Sequence, residues 1–255
     1  MTGVHGTFGY AQSRMQARLG RQAGVPGLVQ MREARTLVAY LQQVRSSPWS
    51  RHVARLAPDM DAHDLERRLR EEWHSAVEEV ARWQPREWQA AVRWLGWLPW
   101  LPALQKLARG GRTPAWTRED EVLARIVAAT RETRAERLEA TPLYPLRQAV
   151  AGHGDVVAAW LAHWRGLWTA DADEHAGLEG LVASTRRAVR LLASDDAGNA
   201  TELALRSYAH ALRRSFRRHP LSATAAVAYL GLVALDLLEL RGAAAVRAAL
   251  PAIPA

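Results

Sequence analysis

Two short tracts bring carboxylates and a histidine close together: Asp59, Asp61, His63 and Asp64 in one, Asp171, Asp173, Glu174 and His175 in the other. Hard cations choose clustered carboxylates, so metal binding is the first chemistry to weigh. The competing reading is helix capping. Each tract stands just before a helical pattern, where Asp satisfies free N–H groups and favours the positive end of the helix dipole. Capping is the reading adopted, and no metal is assigned. The other histidines are scattered, with no i, i+4 pair.

Other chemistries lack their residues. A phosphate loop needs clustered glycines and a lysine followed by Ser or Thr; Lys106, the chain's one lysine, is followed by Leu-Ala-Arg-Gly-Gly. Gly3, Gly6 and Gly9 follow no strand and make no dinucleotide fingerprint. Neither a Gly-x-Ser-x-Gly nor a His-Glu-x-x-His motif occurs, and with no cysteine there is no disulfide or thiolate chemistry. No catalytic residue and no cofactor is assigned.

The elements that would position side chains all read as helices. Leu65, Leu69, Trp73, Ala76, Val77, Val80 and Trp83 form one stripe at three- and four-residue spacing over 64–83, with Glu71, Glu72, Glu78 and Glu79 elsewhere on the wheel. Pro85 ends that helix and starts another carrying Trp88, Val92 and Leu95. Thr117 with Asp120 resembles a capping box opening a charged, exposed helix over 118–139. Helices over 178–193 and 201–218 follow, the second with Leu205, Tyr208, Leu212 and Phe216 on its apolar face, and a last one runs from about 222 to 249. Alternation never persists, so the expected class is all-α.

A helical unit is repeated. One tract opens at Asp59 and closes through Trp94-Leu95-Gly96-Trp97 into Leu107-Ala-Arg109-Gly110. The other opens at Asp171 and closes through Tyr229-Leu230-Gly231-Leu232 into Leu240-Arg241-Gly242. Repetition of this kind builds a scaffold from similar lobes. The boundaries drawn are 1–111 for a first helix and lobe, 112–155 for a charged connecting segment or reduced middle lobe, and 156–255 for a last lobe. Eleven tryptophans against two phenylalanines are read chiefly as inter-helix packing, with Trp160, Trp164 and Trp168 on one face.

A net charge of +8 comes from 34 basic residues, all but Lys106 arginine, interspersed with 26 acidic ones. Without a basic tail or a recognised nucleic-acid motif, no nucleic-acid partner is expected. Arg206, His210, Arg213, Arg214, Arg217 and Arg218 do gather on the polar side of the 201–218 helix, as a solvated face or one drawn to acidic protein or anionic headgroups. The seventeen uncharged residues from 219 to 235 fall short of the roughly 20 that span a bilayer, which points to a buried core helix. No signal peptide is read at Met1 to Tyr10, so a cytoplasmic location is expected.

The chain's two ends resemble a known family. Tyr10-Ala11-Gln-Ser-Arg14-Met-Gln-Ala-Arg18-Leu19 is similar to the opening of the rotor cap of V-type and A-type ATPases, subunit d in V-type and C in archaeal-type enzymes. Ala228-Tyr229-Leu230 with Asp236-Leu-Leu-Glu239-Leu240-Arg241 resembles that family's final helix. Asp236 stands where the family has Glu, Glu239 where it has Asn, the closing Gly-Lys is missing, and the chain is shorter than typical members. The resemblance implies helical lobes around a central cavity and a non-catalytic part. Such a part is peripheral at the cytoplasmic face of the membrane, joins the central stalk to the membrane rotor ring, and passes torque for proton or sodium movement. It implies a partner interface at Arg14, Arg18, Asp236, Glu239 and Arg241, to which the arginine face adds Arg213 and Arg217. Ion pairing within the chain is an equal reading of the first five. A helical adaptor unrelated to rotary ATPases and a basic nucleic-acid-binding protein are the alternatives.

Overall fold

Apolar side chains recurring at three- and four-residue spacing are satisfied by helices, and helix accounts for 79% of the described residues. No strand occurs among the described residues, so the protein is all-α. The computed structural model describes residues 7–22, 28–152, 154–192 and 199–249. Gly3 and Gly6 lie outside them.

The α-helices, in chain order, are α1 (Phe8–Gln22), α2 (Leu37–Arg45), α3 (Ala62–Trp83), α4 (Arg86–Trp94), α5 (Leu101–Ala108) and α6 (Leu123–Val127). Then come α7 (Arg131–Glu139), α8 (Arg147–Ala151), α9 (Val156–Gly166), α10 (Ala172–Leu192), α11 (Asn199–Arg218) and α12 (Ala223–Ala249). They fall into two compact units, residues 94–168 forming one and the flanking stretches the other.

In the flanking unit α12 is the hub, packed by α1, α2, α3, α10 and α11. Its length and composition would allow it to cross a membrane, because helix and apolar character continue past Asp236 to Ala248. That is longer than the run of uncharged residues suggests. Most of its apolar window is nonetheless buried among its neighbours, as in the core helix of a globular unit. The α3 stripe is realised, with Leu65, Val77 and Val80 almost wholly buried.

Two glycines set how closely α12 is approached. A Cβ on Gly177 of α10 would lie 2.5 Å from Thr224 Oγ1, and one on Gly231 would lie 2.8 Å from Leu212 Cδ2 of α11. The turn joining α11 to α12 places Leu221 at φ 57°, a left-handed conformation that is uncommon for a side chain this bulky.

The other unit is a cluster of short helices, α5 to α9, around Ile126, Leu138, Leu143, Leu146 and Val150. Trp94 donates its indole N–H to Trp160 O at 3.2 Å and stacks on the Trp160 ring. Trp160 stacks on Trp164, and Trp168 meets Trp164 edge-on at 5.0 Å, so the four-residue tryptophan spacing does form one continuous face. Gln105 of α5 holds the start of α9, accepting from Val156 N at 2.9 Å.

The charged helix expected over 118–139 is instead broken. A 3-10 turn at Ala115–Arg118, then α6 and α7, take its place. The cause is Asp120, whose Oδ1 accepts from Val122 N at 3.0 Å and Leu123 N at 2.9 Å and so starts α6 afresh. Thr117 forms no capping box, because its hydroxyl donates to Pro114 O at 2.7 Å. Nor is the segment exposed throughout: Leu123, Ile126 and Leu138 are wholly buried.

The repeated tracts share their openings more than their closings. Trp94-Leu-Gly-Trp97 runs from the end of α4 into a 3-10 segment containing Pro99, whereas Tyr229-Leu-Gly-Leu232 lies inside α12.

Candidate functional site

The openings are caps. Asp61 Oδ1 accepts from Asp64 N at 2.8 Å at the start of α3, and Asp171 Oδ1 accepts from Asp173 N at 2.9 Å and Glu174 N at 3.3 Å at the start of α10. Arg67 hydrogen-bonds to Asp64 and, with the neighbouring charges, holds its carboxyl below the usual range. Glu174 turns inward and is buried. Among the described residues no group of three or more His, Asp or Glu side chains is arranged to hold a metal ion.

Polar side chains converge where α1, the 3-10 turn at Ser50–Val53, α3 and α12 meet. The Arg18 guanidinium of α1 grips Glu79 of α3 through two hydrogen bonds, one of 2.8 Å from Nη1 to Oε2, and stacks 4.6 Å over the Trp83 ring. A fork-on-carboxylate pair is among the stronger polar contacts available to a side chain. Burial opposes the Glu79 charge, but the Arg18 hydrogen bond and charge, with Arg51 and Arg82, outweigh it and hold the carboxyl below its ordinary value. Burial likewise acts against Arg18, and its bonds to Glu79 and Tyr229 more than compensate, raising its pKa. Close by, His52 is buried and approaches Glu72 Oε1 at 3.0 Å through Nδ1. Arg51 Nε lies 3.3 Å from His52 Nε2 on the other side of the ring.

Asp236 of α12 lies across from Gln22, the last residue of α1, whose amide donates to it at 3.0 Å. Burial pushes the Asp236 carboxyl up. The Trp49 indole, the His52 charge, the Gln22 amide and the Arg213 charge pull it down without cancelling that effect. Asp236 is shared by two hollows. One is a small pocket of about 20 Å3 that also touches Arg18, Arg21, Arg51 and Tyr229. The other is an open groove of about 940 Å3.

Leu19, Leu28, Leu205, Leu235, Leu238 and Val246 give the groove its apolar surface, and α1, α11 and α12 supply most of its walls. Its charged groups are of both signs: Glu202, Asp236 and Glu239 against Arg206, Arg213 and Arg247. A surface of this kind suits a partner with an apolar stripe and mixed charges, and offers little to a small polar substrate.

Three of the residues expected at a partner interface, Arg213, Asp236 and Glu239, line this groove. Arg18 lies on the small pocket instead. Arg14 is exposed on α1 and donates to the Tyr10 hydroxyl at 2.7 Å. Arg241 pairs with Glu66 of α3, and Arg217 is exposed on α11; neither lines either hollow. Arg18 and Arg241 therefore satisfy the ion-pairing reading. Sequence reading did not single out Gln22, Trp49 or His52, and it placed Glu79 only on a polar face. The one signal available was Glu79 one turn before Trp83, which is where the Arg18 guanidinium inserts.

Comparison of the chain with protein-family models, curated proteins and solved structures finds no match to any of them.

Proposed function

We propose that this chain is a non-catalytic central-rotor part of a V/A-type rotary ATPase, linking the central stalk to the membrane proteolipid ring and passing torque for proton or sodium transport. One observation carries the reading. The two stretches that resemble the family, at opposite ends of the chain, meet in a single polar cluster. Gln22, just past the α1 motif, holds Asp236 of the α12 motif at 3.0 Å, and Arg18 and Tyr229 line one pocket. Gln12 of α1 also accepts from Leu221 N at 3.4 Å at the turn into α12. This convergence of the two ends is what supports the reading.

The rest of the reading is mechanical. Torque needs helices locked at their crossings, and the Arg18–Glu79 fork and the Gln22–Asp236 bond lock α1 to α3 and to α12. Related helical lobes around a cavity, peripheral at the cytoplasmic face of the membrane, belong to the same proposal, with the shared Asp-capped openings in support. The groove lined by Arg213, Asp236 and Glu239 is its seat for a stalk element.

Tagged chain recovered from detergent-solubilised membranes should bring down a stalk subunit and a ring proteolipid together. Recovery as a soluble species carrying neither would overturn the proposal.

A further inference from the structure

We propose that the α10–α11 hairpin is a docking surface for an anionic lipid bilayer, with its arginines on the headgroup phosphates and the apolar side chains at its end in the interface. The two helices pack on each other, and Thr185 and Tyr208 share a hydrogen bond of 2.7 Å across the pair. Between residues 186 and 218 the sequence carries three arginines on α10 and five on α11, against three carboxylates: Asp195 and Asp196, both outside the described residues, and Glu202. All eight arginines are exposed. Glu202 is spent on Arg206, one turn away at 2.6 Å. On α11 the arginines occupy the face opposite the buried Leu212 and Phe216, along a helix that spans about 30 Å.

Charge alone would suit any polyanion. What selects a membrane is the end of the hairpin, where the last turn of α10 meets the start of α11. Val189 is 58% exposed there and Leu203 66%, with Leu191 and Leu192 beside them. Apolar side chains with Arg187, Arg190 and Arg206 on the neighbouring turns match the headgroup boundary, where the chains enter the acyl region and arginine bonds phosphate in pairs. A single-stranded nucleic acid would ask for aromatic rings to stack on. On α11 Phe216 is buried and Tyr208 is partly buried with its hydroxyl tied to Thr185, which leaves the single His210 imidazole as the exposed ring of that helix.

Arg206 and Arg213 also border the groove, but the residues altered in the test, Arg187, Arg190, Arg214 and Leu203, do not line it, and that test does not depend on the rotor reading. The pure full-length chain is sedimented with vesicles of phosphatidylcholine, with or without phosphatidylglycerol, so that no membrane protein is present. Binding should require phosphatidylglycerol and weaken steeply between about 0.1 and about 0.5 M salt. The combined Arg187→Gln, Arg190→Gln and Arg214→Gln variant should lower partitioning about a hundredfold, each arginine near the headgroups being worth about a factor of five. Leu203→Ser, at an exposed position, should weaken it severalfold with an unchanged melting temperature. Equal binding to neutral vesicles, or full binding by both variants, would overturn the proposal. So would displacement from the vesicles by an oligonucleotide at equal phosphate concentration, which would assign the surface to nucleic acid instead.

Discussion

The Glu174 carboxylate, on the first turn of α10, accepts from Thr224 of α12 twice: from its backbone N–H at 3.2 Å and from its hydroxyl at 3.1 Å. It also accepts from Ala223 N at 3.0 Å. α12 is thus capped by a side chain borrowed from another helix, with a negative charge at the positive end of its dipole. Glu174→Ala should strand these donors in a buried position and lower stability by about 3 kcal/mol, read from urea unfolding by circular dichroism. Glu174→Gln, which keeps an acceptor, should cost clearly less. Equal losses in the two variants would mean that packing around residue 174 matters and the cap does not.

One turn further along α10, Gly177 lets Thr224 sit this close. Gly to Ala inside a helix ordinarily gains up to about 1 kcal/mol. Here the new methyl would meet Thr224 Oγ1 at 2.5 Å and Cγ2 at 3.0 Å, so Gly177→Ala should instead lose about 2 kcal/mol through overpacking. Adding Thr224→Ala removes both clashing atoms. The double variant should therefore be more stable than the sum of the two single losses, and strict additivity in that cycle would exclude the steric account.

These contacts mark what the sequence could and could not disclose. The α3 stripe, the Asp61 and Asp171 caps and the tryptophan face of α9 are local, set by spacing within a turn or two, and all of them were legible. The break at Asp120 was not, because Asp serves equally well at N3 of one helix and at the cap of the next, and only tertiary packing of Leu123 and Ile126 decides between them. Asp171 and Glu174 stand three residues apart in one acidic cluster, yet one caps its own helix and the other a helix fifty residues away. Of the candidate interface, Asp236, Glu239 and Arg213 share a groove. The partners that set the Asp236 environment, Gln22 and His52, come from distant segments with no periodic signal.

The Arg18–Glu79 fork gives a pH-dependent test. The folded-state pKa of Glu79 is depressed, so its ionisation contributes stability that is complete above its unfolded value and lost as pH falls through the folded value. Glu79→Gln should cost about 2 kcal/mol at neutral pH, typical of a charged hydrogen bond. Wild type and variant should converge on acidification below the ordinary glutamate value of 4.5. A gap of constant size across that range would show that the charge on Glu79 is irrelevant to its role.

Asp236 should behave in the opposite sense. Burial raises its folded pKa above the ordinary aspartate value, so the folded protein binds this proton more tightly than the unfolded chain. The stability linked to it is complete below the unfolded pKa and declines as pH rises through the folded one; above that, the ionised carboxylate is a standing cost. Asp236→Asn keeps an acceptor for the Gln22 amide and removes the buried charge. The variant should match the wild type in acid and exceed it in melting temperature at neutral pH, with a flatter stability profile between the two. A wild type that gains stability from Asp236 on passing from acid to neutral pH would show that Arg213 and His52 outweigh burial, and that the carboxylate is held there as a charge.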